Sequence, residues 1–202
     1  MSNFWISGAL WLDAVNSEWM GGGQRVDGWP DVATLQAWLL QSSEVFAEAG
    51  SLSQAKVETE ADLEAAKALR AALRAACVAS HEGRAMPQAV VDELNAILSR
   101  RGVTSRLEAT AEGWREREAL EPGAEFEGAL WILARSAARS WTAGDLKRLK
   151  PCANPNCILW FLDTSKNGTR RWCSMQACGN RSKVTAHYAR RSEAKSSDKN
   201  SD

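Results

Sequence analysis

Four cysteines carry the residue types and spacing that could do chemistry: Cys152 and Cys157, then Cys173 and Cys178, in a C-x4-C-x15-C-x4-C pattern. Two close pairs of thiols separated by a hairpin-sized gap suit one tetrahedral zinc ion, each pair bringing two sulfurs from one short loop. Within the gap, Ile158 to Leu162 reads as a strand, Lys166-Asn167-Gly168 as a turn, and Thr169 to Trp172 as the returning strand. The second pair runs into a helical segment, which places Cys178 near a helix N-terminus, where the dipole favours a thiolate. The competing reading is a pair of disulfides. The chain opens without the basic and apolar regions of a secretion signal, so it is expected in the cytoplasm, whose reducing conditions favour metal binding by close cysteines.

Other chemistry is sparsely represented. Cys77 lies in an alanine- and leucine-rich helical stretch and reads as a buried thiol. Four cysteines already complete a zinc shell, so neither His81 nor His187 is needed, and a closed shell leaves no open position for a reactive water. There is no Ser-His-Asp or HExxH constellation, and Gly21-Gly22-Gly23 reads as a flexible loop, since no phosphate-loop lysine follows it. The chain is therefore expected not to be an enzyme. A redox-sensing site, in which zinc release reports thiolate oxidation, is a further reading of the same cysteines.

The charge is segregated. Residues 1–145 hold 13 Lys/Arg against 21 Asp/Glu, a balance of −8, whereas residues 146–195 hold 11 Lys/Arg against Asp163 and Glu193, a balance of +9. A basic module on an acidic body points to one end meeting a polyanion; attraction between the two ends is the competing reading. On a helical wheel over residues 177–193, Lys183, His187, Arg190 and Arg191 form one basic stripe, and Val184, Tyr188 and Ala177 an apolar one. Arg181 falls on the inward side, as a structural brace to backbone carbonyls or to Asp163. Arg170 and Arg171 alternate in direction along their strand, so one of them should face outward with the stripe. Lys147, Arg148 and Lys150 could add phosphate contacts. A solvated basic face is the plainer reading.

The run Arg171-Trp172-Cys173-Ser174-Met175, followed by Cys178-Gly179-Asn180-Arg181-Ser182-Lys183, resembles the CGNR zinc-finger family. Upstream, Leu12-Asp13-Ala14-Val15-Asn16-Ser17 is similar to the LDFVNT-type signature that opens the associated ABATE domain, with Ala14 and Ser17 departing from its Phe and Thr. The family is described as stress-induced transcription regulators, so the resemblance implies a DNA-binding role.

The acidic part reads as a mostly helical body over residues 1–145. Asp31 caps a helix running to near Gly50, a longer helix spans about 62–80, Pro87 opens a third, and a fourth covers about 125–142. In the second of these, Glu64, Lys67, Arg70 and Arg74 are expected largely outside. Alternation over 103–110 and 114–118 predicts one small β-hairpin with a polar outer face. The zinc finger, a β-hairpin followed by a helix, occupies 146–195, and 196–202 is a polar, disordered tail. The fold class is thus mainly α, and the body, with its own amphipathic helices, is expected to stay folded when chelation unfolds the finger.

Ten tryptophans accompany a single tyrosine, and Trp5, Trp11, Trp19 and Trp29 all precede residue 30. Such indoles either brace the first helix or wall an apolar ligand pocket whose polar groups would be Asp13, Asn16 and Arg25, with Asp27 nearby. The reading that unites these features is a zinc-dependent DNA-binding transcription regulator holding one structural zinc ion. Its body reads as a candidate sensor of a small-molecule effector, and a homodimer would supply the base contacts that one finger lacks. The alternative is a ligand-sensing or protein-docking zinc module that never touches DNA.

Overall fold

The computed structural model describes residues 5–100 and 102–182. Helix α1 (Leu10–Val15) is buried along its whole length, Asp13 included, as befits a helix apolar on all sides but one. A hairpin follows, β1 (Glu18–Gly21) with β2 (Gln24–Asp27). The glycine run is therefore its turn and not a flexible loop: Gly22 and Gly23 both sit at positive φ, 60° and 83°, which a two-residue hairpin turn demands.

Helix α2 (Val32–Val45) starts at the Asp31 capping box, in which the Asp31 carboxylate accepts from the Thr34 N–H at 2.8 Å and Thr34 Oγ1 accepts from the Asp31 N–H at 3.2 Å. The chain then tightens into a 3-10 helix (Ala47–Gln54), so the α-helix ends short of the expected Gly50. Helix α3 (Glu60–His81) opens with a second capping box between Thr59 and Asp62, and α4 (Gln88–Leu98) follows Pro87. Strands β3 (Val103–Thr110) and β4 (Gly113–Leu120) form the expected hairpin, and α5 (Glu125–Thr142) closes the body. Only the base of that hairpin is buried, at Leu120; residues 105–117 are all exposed.

Helix α1 packs against α3 and α5 in the middle of the body. Around it the indoles make core. Trp11 meets Trp141 edge-on at 6.0 Å, Trp29 meets Trp38 at 5.0 Å, and Trp5 tilts on Trp38 at 5.5 Å. Cys77 is fully buried, and burial pushes its thiol far above the ordinary range, which makes it an inert packing residue.

Two arginines expected on the outer face of α3 turn inward instead. Arg70 is 4 % exposed, donates to both oxygens of Asp27 at 2.6 and 2.9 Å, and lies over the Trp29 ring. Arg74 donates to the carbonyls of Val15 and Ile158. Helical spacing alone could not show this, because a long cationic side chain reaches around its helix to buried acceptors.

The C-terminal part opens with a 3-10 turn (Asp145–Arg148) into β5 (Leu149–Pro151), which pairs antiparallel with β6 (Trp160–Leu162). The finger's hairpin is therefore built from 149–151 and 160–162, and not from 158–162 with 169–172. Asp163 explains the difference. Its carboxylate accepts from the Ser165 N–H and hydroxyl, the Arg170 N–H and the Lys150 ammonium, which curls 164–170 into a loop where a ladder was expected. The returning segment keeps one backbone bond, Ala153 N–H to the Arg171 carbonyl at 2.8 Å.

Strand β6 belongs to both halves. Trp160 and Leu162 lie in the core of the body, while Leu159 and Phe161 lie against the cysteines, the alternation that a strand buried on both faces imposes. Residue 145 therefore marks a change of composition and not a gap in packing.

Candidate metal centre

Each cysteine pair is set by its own local structure. Cys152 follows β5, and Asn154 closes the loop to Cys157, its carbonyl accepting from the Cys157 N–H at 2.9 Å and its side chain from the Asn156 N–H at 3.0 Å. Cys173 lies before Ser174, whose hydroxyl accepts from the Ala177 N–H and caps a one-turn π-helix (Met175–Gly179) that carries Cys178. Gly179 sits close under this turn, where a Cβ would meet the Met175 sulfur and the Trp172 ring, so a side chain there would have to displace the Met175 side chain.

The four sulfurs lie within 4.8 Å of one another, with Cys157–Cys173 at 3.8 Å and Cys173–Cys178 at 3.6 Å. All four are free thiols, so the disulfide reading is set aside. A tetrahedron of sulfurs about 2.3 Å from a central zinc has edges of about 3.8 Å, so the donor set fits one such ion. Its electrostatics ask for a cation. Thiol donation from Cys157 and Cys173 lowers the pKa of Cys152, and that same bonding to Cys152 raises those of Cys157 and Cys173. One thiolate forms readily and the next are opposed, until a divalent ion supplies the missing positive charge. The Cys173 N–H donates to Cys152 Sγ at 3.4 Å, as an amide does toward a thiolate ligand.

The centre is tied to the body by side chains far away in sequence. Asn16, at the end of α1, donates from Nδ2 to the Trp160 carbonyl and accepts at Oδ1 from the Trp160 N–H, both at 2.8 Å. The amide thus acts as one residue of a strand paired along β6. The Leu162 N–H donates to the Ser7 carbonyl at 3.0 Å, and Arg74 reaches Ile158 from α3.

The chain belongs to the ABATE family. The model of that family, described as "Putative stress-induced transcription regulator", matches residues 8–144, and the CGNR zinc finger model matches 148–191. No curated protein matches the chain. In this ABATE chain the LDxxN-type segment has a definite structural use: Leu12 fills the core, Asp13 accepts from the Ile6 and Ser7 N–H groups, and Asn16 clamps the CGNR finger.

The residues expected to line a ligand pocket do not converge. Asp13 and Asn16 are buried in those bonds, whereas Arg25 lies at the surface, 3.7 Å from Glu18. Burial pushes the Asp13 carboxyl up to about 7, and its Oδ2 has no hydrogen-bond partner.

Of the basic residues, Lys183, His187, Arg190 and Arg191 lie outside the described residues, as do Val184 and Tyr188. Arg170 turns inward: its guanidinium lies 4.3 Å over the Phe161 ring and donates to the carbonyls of Ile6, Trp172 and Cys173. Bracing of this kind is carried by Arg170, three residues before Cys173. Arg171 faces outward beside Trp172, Lys147 and Arg148 are exposed, and Lys150 is bonded to Asp163 at 2.6 Å. Arg181 is exposed and borders a small hollow beside the sulfurs. Among the described residues, no helix is long and apolar enough to cross a membrane.

Proposed function

We propose that this protein is a DNA-binding transcription regulator whose zinc ion is structural and whose CGNR finger contacts nucleic acid. The observation that carries this reading is the charge segregation, +9 over residues 146–195 against −8 over 1–145. A polyanion is drawn to the finger and repelled by the body, which orients the encounter. Arg171, Lys147 and Arg148 are exposed on the finger's described surface, and the sequence supplies Lys183, His187, Arg190 and Arg191 beyond it. The family description points the same way. Zinc, held by four thiolates with no position left for water, supplies a cross-link between loops and no reactive group. Arg170, Asn16 and Asp163 then hold the cross-linked loops against the body.

The test is a gel-shift with genomic fragments at two salt concentrations. If about four to six phosphates are contacted, the logarithm of affinity falls by about 0.9 per contact for each decade of salt. Binding that ignores salt, or no binding, leaves the zinc module with a protein-docking or ligand-sensing role.

A further inference from the structure

The β3–β4 hairpin stands out from the body with its residues 105–117 exposed. Leu107 and Ala109 share one face of β3, and Trp114 joins them because it pairs with Ala109. Leu107 is 68 % exposed and Trp114 73 %, the two most exposed large apolar side chains among the described residues. An isolated two-stranded hairpin is marginal in water, and an open, flat edge invites another strand.

The two edges of this hairpin differ. On the β4 side the 3-10 helix covers the strand: Ser51 Oγ donates to the Glu118 carbonyl, and the Glu118 carboxylate pairs with Arg135 of α5. On the β3 side, among the described residues, no further strand pairs with it, and residues 105–110 are exposed.

We infer that the free edge of β3 pairs antiparallel with β3 of a second copy of this chain, centred on Leu107, to give a four-stranded sheet. The argument is charge complementarity. A two-fold axis at Leu107 sets Leu107 against its own copy, Arg106 against Glu108, Ser105 against Ala109 and Thr104 against Thr110. Centring on Arg106 or on Glu108 would oppose like charges. The same operation on β4 opposes Glu116 to itself and Arg115 to Arg117, or Arg117 to itself and Glu116 to Glu118. Of the hairpin's two edges, the open one is self-complementary and the covered one is self-repelling. This inference stands apart from the nucleic-acid reading.

The experiment uses the full zinc-loaded chain. Sedimentation velocity over a range of concentrations should show a monomer–dimer equilibrium. Arg106→Glu should raise the dissociation constant by about tenfold or more, since two attractive pairs become repulsive, and Arg106→Glu/Glu108→Arg should recover most of the loss. A short bismaleimide should cross-link Leu107→Cys beyond the wild-type background and leave Thr110→Cys at background, because the two copies of residue 110 lie roughly 20 Å apart in this register. Matching circular dichroism, melting temperature and zinc content across the variants establish that all are folded. A wild-type chain that stays monomeric, a double variant no tighter than the single one, or cross-linking at 110 equal to that at 107 overturns the proposal.

Discussion

The two faces of β6 are held by different means. On the body side Trp160 and Leu162 join a core of tryptophans and leucines that stretches from α1 to α5; on the other side Leu159 and Phe161 share a small cluster with the cysteines, edged by Ile6, Trp19 and Trp172. The body is large enough to be held by burial. The finger, matched over residues 148–191, is not, since so short a segment encloses too little apolar surface to offset its chain entropy. It depends on a metal cross-link and on polar side chains of the body, Asn16 and Arg74 chief among them. A small module need not be autonomous to have its own family signature.

The most direct way to break this contrast is at the metal. Cys173→Ser should abolish zinc binding and unfold the finger, because structural zinc contributes about 10–16 kcal/mol of apparent binding energy in finger peptides. The body should keep its helical circular dichroism yet melt at a lower temperature, having lost Trp160 and Leu162 from its core. A body whose melting temperature does not change would separate the two faces of β6 energetically. Asn16→Ala comes next. It leaves the buried N–H and C=O of Trp160 unpaired, and a loss of about 2–5 kcal/mol in thermal unfolding, with faster zinc loss to a chelator, is expected. Third is Arg170→Ala, which strips partners from three carbonyls around Cys173 and should cost about 2–3 kcal/mol, whereas Arg171→Ala should change stability by less than about 0.5 kcal/mol and act on nucleic-acid binding alone. Equal effects of the two on melting would remove the inward–outward distinction.

The smallest effect sharpens the body side. The Asp13 carboxyl, raised by burial from 3.8 to about 7, keeps its proton in the folded chain where the unfolded chain has released it. Its contribution to stability is complete below about pH 4 and declines as pH rises toward 7, at up to about 1.4 kcal/mol per pH unit. Asp13→Asn should remove that slope, so the stability difference between wild type and variant, followed by denaturant unfolding from pH 5.5 to 8, should grow in the variant's favour. A flat difference would show that Asp13 is ionised in the folded protein.

Much of this was legible in the sequence because it rests on local rules. The cysteine spacing implied the sulfur cluster, the caps at Asp31 and Pro87 fixed helix starts, and the alternation over 103–110 located β3. What escaped depends on partners distant in sequence. Nothing local marks Asn16 as the partner of Trp160, or Arg70 and Arg74 as inward-turning. The finger's pairing was misread because Asp163 takes up the donors of the returning segment, and a single carboxylate does not announce itself in a hydrophobic pattern. The LDxxN-type segment was noticed by resemblance, but its use became physical only once Asn16 was seen against β6.

The Asn16–Trp160 clamp joins residues 144 positions apart, and the chain is made in order. At roughly 5–20 residues per second, the first partner waits roughly 7–30 s for the second to be synthesised. Through that interval α1 sits in a nascent body with one wall missing, its amide and the Ser7 carbonyl facing water where β6 will lie. Completion of the body is thereby deferred to the arrival of the very segment that loads the metal, so metal supply at the end of synthesis decides how long the half-built core stays open to chaperones and proteases.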